Sequence, residues 1–204
     1  MSKTNPNLKR CMDLMVILPL GPIIIAFVVL IAIFVRICCG RGVIFTQERA
    51  GLNGVPFTLY KFRTMKSDCD PFGPSPKGSH DSRLTGLGRY LRMLSLDELP
   101  QLFNVLKGNM SLVGPRPLYM EQVKEWNDRQ KLRLLVKPGL TGLAQTSGRG
   151  SLTIEEKLEL DVRYVENQNL RLDLKIIIKT FFGMLCPADI YEKKYSQTQN
   201  TRQS

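Results

Sequence analysis

From Leu14 to Val35 the chain runs 22 residues without a charged side chain. As a helix this run is about 33 Å long, enough to cross a hydrocarbon core of about 30 Å. It is longer than the apolar region of a signal peptide and no small-x-small cleavage site follows it, so a retained membrane segment is the natural reading. Two features oppose a simple crossing. Pro19, Gly21 and Pro22 interrupt the run, and a proline inside a helix removes a donor and crowds the preceding turn. Positive charge also flanks both ends, with Lys3, Lys9 and Arg10 before and Arg36 and Arg41 after. Loop charge then gives no orientation, as expected if both ends stay cytoplasmic. A helix broken at Gly21 and Pro22 that enters one leaflet and returns accounts for both features. Re-entrant and spanning readings stay open on the residues alone.

The rest of the 204 residues fits one modest domain. The whole chain's 29 basic and 18 acidic residues give a net charge of +11, which points to a polyanionic partner such as nucleic acid, anionic lipid or a phosphate-bearing substrate. The five cysteines (Cys11, Cys38, Cys39, Cys69 and Cys186) show no paired metal spacing, and His80 is the only histidine. That argues against a zinc site and against nucleophile–histidine catalysis, and it suits a reducing cytosol.

Periodicity gives a mostly helical α+β layout. Gly42–Gln47 and Pro56–Arg63 read as short strands, with turn chemistry at Ala50–Gly54 predicting a hairpin. Lys66–Ser82 reads as a long loop of the kind used as a lid. A helical period starts at Ser82, with Leu84, Leu87, Leu91 and Leu94 on one face. Leu99–Lys107 is a short helix stopped by Gly108. Leu118–Val136 reads as a charged, solvent-facing helix carrying Trp126. Thr153–Asn167 is another, with Thr153 and Glu156 as a capping box. Leu174–Cys186 is too short to span. It lies flat at the membrane interface with Lys175 and Lys179 reaching outward, or it is a core helix. The expected division is residues 1–40 as membrane helix, 41–190 as catalytic domain and 191–204 as polar tail.

The densest group of reactive residue types lies between Arg92 and Pro117. Asp97 and Glu98 are adjacent there, and the bland reading of them comes first: Ser95 with Glu98 fits a helix-capping box. Pro100 complicates that reading, because with Ser95 as the cap it falls past the first turn and breaks a hydrogen bond. Either the helix begins at Asp97 or it kinks there. Residue types alone still favour the structural reading. Basic residues sit beside turns: Lys61 and Arg63 at the end of the second strand, Arg116 between Pro115 and Pro117, and Arg149 between Gly148 and Gly150. Arginine's planar fork suits phosphate.

Together these segments resemble the bacterial sugar transferases, the monotopic phosphoglycosyl transferases that begin polyprenyl-linked glycan assembly. The matching residues are Tyr60-Lys61-Phe62-Arg63-Thr64-Met65, Leu94–Leu102 with Asn104 and Val105, Gly114-Pro115-Arg116-Pro117, Pro138–Gln145 with Gly148-Arg149, and Leu172-Asp173-Leu174-Lys175. They cover nearly the whole chain in order. The resemblance implies transfer of a sugar-1-phosphate from a nucleotide-diphosphate sugar, usually a uridine nucleotide, to undecaprenyl or another polyprenyl phosphate. Asp97 would be the nucleophile through a phosphosugar-aspartyl intermediate, and Glu98, with Asp97, would help to bind Mg²⁺. Arg92, Arg116 and Arg149 would engage phosphates, with Lys61, Arg63 and Asp173 as further site members.

The resemblance also implies a re-entrant helix, interface-lying amphipathic helices, a catalytic domain on the cytoplasmic face of the bacterial inner membrane, a phospholipid environment, no nucleic acid partner and room for a homodimer. Gly21 replaces the serine that usually precedes proline at the helix break. Lys137 replaces the usual arginine, and Thr146-Ser147 a commoner Val-Asn. The chain looks like the minimal form of the family. The competing expectation is a membrane-tethered basic module that binds nucleic acid or anionic lipid without catalysis.

Overall fold

The computed structural model describes residues 4–66, 69, 76, 78 and 81–185, except the side chains of residues 149, 184 and 185. Both the lid expected over Lys66–Ser82, in large part, and the polar tail at 191–204 lie outside the described residues. The architecture is mostly helical, with two small sheets and a long apolar N-terminal helix. Helix α1 (Pro6–Cys39) starts where the Asn5 side chain accepts from the Asn7 amide, with Pro6 in the first turn, where a missing donor costs nothing. It is 34 residues long and stays helical through Pro19, Gly21 and Pro22. The expected break at Gly21 and Pro22 therefore does not end the helix. Proline's fixed φ is helical, so the cost is confined to lost hydrogen bonds and crowding of the preceding turn.

Although α1 is long and apolar enough to cross a membrane, both of its ends pack on the rest of the chain. Ile17 joins a buried cluster with Phe57, Leu59, Val105, Met110 and Val113, whereas Ile31 and Val35 form a second with Phe62 and Leu91. Leu18, Ile23, Ile25, Phe27 and Leu30 are exposed along it.

Strands β1 (Ile44–Ala50) and β2 (Pro56–Phe62) form the predicted antiparallel hairpin, with Gln47 opposite Leu59 and Ala50 opposite Pro56. Asn53 and Gly54 at the reversal both have positive φ, 54° and 77°, which asparagine and glycine tolerate best. Helix α2 (Gly86–Met93) is capped by Thr85, later than the Ser82 start expected, and α3 (Gln101–Lys107) ends at Gly108 in the left-handed region as predicted.

Strand β3 (Ser111–Val113) follows. The single charged helix expected over Leu118–Val136 is instead α4 (Met120–Lys124), α5 (Asp128–Lys131) and a 3₁₀ turn at Leu132–Leu135. Asn127 is the reason for the restart. It exchanges side-chain and backbone hydrogen bonds with Gln130 in a capping box, which favours a new helix N-terminus over continuation. Nor does the segment simply face solvent, since Trp126 and Arg133 are buried.

Strand β4 (Gly139–Thr141) pairs in parallel with β3, a sheet that the periodicity did not announce. Helices α6 (Leu143–Ser147) and α7 (Ile154–Asn167) follow, the latter with its Thr153–Glu156 box in place. Helix α8 (Leu170–Leu185) buries Asp173 and Ile176 but exposes Leu174, Ile178, Phe181 and Phe182. One side is core and the other an outward apolar face, so each of the two sequence readings describes one side of it.

A buried polar network ties α1 to α7 and α8. Lys9 Nζ lies 2.7 Å from Asp173 Oδ2 and donates to the Tyr164 hydroxyl at 3.1 Å. That hydroxyl donates to Asp173 Oδ1 at 2.6 Å. One turn on, Asp13 Oδ1 accepts from the Ser111 hydroxyl and the Leu112 amide, each at 3.1 Å.

Candidate active site

Between α2 and α3 the chain makes an unusual connection. Ser95 adopts the left-handed conformation (φ 57°), a 3₁₀ turn covers Leu96–Glu98, and Pro100 leads into α3. The Ser95 side chain caps nothing, so the predicted Ser95–Glu98 capping box does not form. An N-cap residue needs extended backbone to aim its side chain at the following amides, and Ser95 lacks it. Pro100 sits at the mouth of α3, where its missing donor is harmless.

Freed from capping, the two carboxylates have opposite surroundings. Glu98 Oε1 accepts from Lys61 Nζ and from an Arg116 terminal nitrogen, both at 2.8 Å. Burial works against its ionisation, but Arg116 and then Lys61 outweigh burial and hold Glu98 well below the usual carboxylate range. Asp97 is 7 % exposed, and among the described residues its carboxylate has neither hydrogen bond nor ion pair. Burial pushes its pKa up, Lys61 draws it back, and the neighbouring Glu98 charge raises it again, with Arg92 and Arg116 opposing.

The cations are positioned by the local fold. Lys61 comes from β2. Arg92, from the last turn of α2, donates through Nε to Thr64 Oγ1 at 2.9 Å. Arg116 leaves a backbone crossing in which the Gly114 amide bonds the Thr141 carbonyl and the Gly139 amide bonds the Pro115 carbonyl, each at 2.9 Å. A Cβ at Gly139 would lie 2.0 Å from Gly114 N, and one at Gly142 2.2 Å from Gly114 O. Only glycine permits that approach, so the Gly114–Pro117 and Pro138–Gly142 motifs are two halves of one support.

Asp97, Glu98, Lys61, Arg92 and Arg116 are thus brought together. Arg63 turns aside: it packs on Gly42 and donates to the Arg41 carbonyl at 2.9 Å. Asp173 is fully buried in the network with Lys9 and Tyr164. Arg149 lies in a 3₁₀ turn, with its side chain outside the described residues. Arg49 was not anticipated. It lies 3.6 Å over the Tyr119 ring and is close enough to Arg116 and Glu98 to feel both charges. It precedes the Ala50-Gly51 turn, so the turn-flanking criterion that singled out Lys61 and Arg116 would also have found it.

Among the described residues no cluster of three or more acidic, histidine or cysteine side chains could enclose a metal. Among the described residues Asp97 and the second oxygen of Glu98 nevertheless have no partner. Such a donor set suits a hard cation that keeps waters and takes further ligands from phosphate, as Mg²⁺ does.

A buried carboxylate without a partner among the described residues, one clamped by Lys61 and Arg116 beside it, and Arg92 nearby make a site for phosphate-bearing substrates, on a fold with a membrane-length apolar helix. The chain belongs to the bacterial sugar transferase family, whose model matches residues 4–187. It is 46 % identical over 191 residues to the uncharacterised sugar transferase EpsL of Bacillus subtilis, covering 92 % of each chain. To the UDP-glucose:undecaprenyl-phosphate glucose-1-phosphate transferase of Caulobacter vibrioides it is 37 % identical, covering 90 % of this chain and 72 % of that one. To the undecaprenyl-phosphate galactose phosphotransferase of Salmonella typhimurium it is 38 % identical over 85 % of this chain, but it spans only 39 % of that longer relative. These likenesses do not favour the non-catalytic binding module.

Proposed function

We propose that this chain transfers a sugar-1-phosphate from a nucleotide-diphosphate sugar, most simply a UDP-sugar, to undecaprenyl phosphate. The observation that carries the reading is the unpartnered, buried Asp97 beside a Glu98 clamped by Lys61 and Arg116. The names of the Caulobacter and Salmonella relatives support the acceptor and the transferred group.

An Asp97 oxygen attacks the β-phosphorus of the donor. A phosphorus–oxygen bond to Asp97 forms as the bond to the bridging oxygen breaks, and the nucleoside monophosphate leaves with that electron pair. An oxygen of the lipid phosphate then attacks the same phosphorus and returns Asp97 to its carboxylate. Burial strips Asp97 of water and leaves it nucleophilic, while Lys61, Arg92 and Arg116 offset charge on the phosphoryl oxygens. Glu98, with Asp97, would hold Mg²⁺. When bound, this ion would neutralise diphosphate charge and assist the leaving group.

The setting we propose is the cytoplasmic face of the bacterial inner membrane, with α1 dipping in and returning. Both ends of α1 pack on one body, through Lys9 and Asp13 at one end and Ile31 and Val35 at the other. A straight crossing would have to separate them. The exposed faces of α1 and α8 would lie in lipid, bringing a soluble donor and a lipid acceptor to one site.

The test is a panel of nucleotide sugars incubated with purified protein, undecaprenyl phosphate and Mg²⁺, scored for nucleoside monophosphate. Acceptor-dependent release from one or a few donors is expected. No release from any donor would overturn the reading.

A further inference from the structure

Away from the carboxylate pair lies a second, fully buried ion pair that the transfer chemistry does not use directly. Arg133 and Asp161 have side chains only 2 % and 3 % exposed, 2.5 Å apart. Arg133 comes from the 3₁₀ turn after α5 and Asp161 from α7. The same Arg133 nitrogen donates to the backbone carbonyl of Arg116 at 2.6 Å, and its guanidinium lies 4.7 Å over the ring of Trp126. Arg133 also lines a small cavity with Arg116, Pro115, Pro138 and Gly51.

As a mere filler of the core this pair is a poor choice. Among the described residues Arg133 Nε and Asp161 Oδ1 are buried without partners, and an incompletely satisfied buried ion pair is often no better than well-packed apolar residues of similar volume. What the pair does reach is the peptide unit of the arginine that clamps Glu98. Arg116 stands between two prolines, and Pro117 confines it to extended backbone, so what is left to set is how the Pro115–Pro117 segment as a whole is turned. A charged donor on that carbonyl sets the direction in which the Arg116 side chain leaves the backbone.

We propose that Arg133, held by Asp161 and Trp126, is a positioning residue for the transfer reaction. It orients the Pro115–Pro117 turn so that Arg116 stays on Glu98 and on the substrate phosphates. The proposal rests on the sugar-phosphate transfer reading, but one of its readouts does not.

The test replaces the pair by apolar residues, Arg133→Met with Asp161→Leu, alone and together with Arg116→Ala. Acceptor-dependent turnover and hydrogen exchange across residues 114–118 are measured on the full chain in lipid nanodiscs. In an otherwise native background the double replacement should lower kcat about tenfold and leave donor KM within about threefold. In the Arg116→Ala background it should lower kcat less than about twofold, because the group it positions is gone. Exchange across residues 114–118 should quicken about tenfold, while the Trp126 fluorescence of Arg133→Lys stays nearer the native spectrum than that of Arg133→Met.

An equal loss of kcat in both backgrounds, or native exchange in a folded double variant, would overturn the proposal. If the native chain released no nucleoside monophosphate, the functional reading would fail, and the exchange result would still decide whether Arg133 sets this turn.

Discussion

Two acid–base clusters in this domain are built to opposite rules. In the network of Lys9, Tyr164 and Asp173, both carboxylate oxygens of Asp173 are engaged by protein donors. At the junction of α2 and α3, one carboxylate takes two cations on a single oxygen and the other takes none. A saturated cluster has nothing left to offer a substrate, and its yield is rigidity: it fastens the N-terminal end of α1 to α7 and α8. The unsaturated one leaves Asp97 without a partner among the described residues, a cost that the proposed chemistry would repay. The difference between reactive and structural acids here is one of unfinished bonding rather than of residue type.

The largest expected effect separates the clusters by activity. Asp97→Asn should lower acceptor-dependent turnover by at least about a thousandfold. Thermal unfolding in lipid should show equal or slightly greater stability, because a buried unpaired charge is removed. A clear loss of stability would place Asp97 with the structural acids and break the contrast.

Asp173→Ala should do the reverse to the fold. Lys9 is left buried without its counter-ion, at a cost of about 3–5 kcal/mol, seen as a drop in unfolding temperature. A drop no larger than that of an exposed control such as Glu155→Ala would contradict the latch.

Asp161 sharpens the comparison through pH. Burial raises it to about 6, more than Arg133 lowers it, in keeping with an Oδ1 that has no partner. A carboxyl raised in the fold stabilises most when protonated, so its contribution is complete below its unfolded value and fades as pH rises through about 6. Set against an ordinary 3.8, that shift is about 3 kcal/mol lost between pH 4 and pH 7. Native protein should therefore lose stability relative to Asp161→Asn across this range, measured by denaturant unfolding at each pH. A constant difference would sink the assignment. The smallest effect belongs to Ser95→Gly, which relieves a left-handed serine and should add about 1 kcal/mol of stability if the connection keeps its shape.

Much of this layout was legible because it is local. The uncharged run of α1, the Asn53-Gly54 reversal, the stop at Gly108 and the Thr153–Glu156 box each lie within a few residues, where periodicity and capping chemistry operate. What could not be read is set by distance along the chain. β3 and β4 are three-residue strands brought together from residues 111–113 and 139–141, and Lys9 finds Asp173 across 164 positions. In the site, the roles of Asp97 and Glu98 came from resemblance, because the residue types alone favoured a cap. The geometry removes that cap through one left-handed serine, which no sequence pattern announces. Asp173 shared a motif with the site residues, and its bonding to Lys9 and Tyr164 could not be read from that motif.

The central claim is that Asp97 is the reactive carboxylate. It is tested most directly by intact-mass measurement of the purified chain after brief exposure to its nucleotide-sugar donor and Mg²⁺ without lipid acceptor. A mass gain of one phosphosugar, mapped by fragmentation to Asp97 and discharged on adding undecaprenyl phosphate, is the predicted result. Acceptor-dependent turnover with no adduct at Asp97 under rapid quench, or with an undiminished rate in Asp97→Asn, would contradict it.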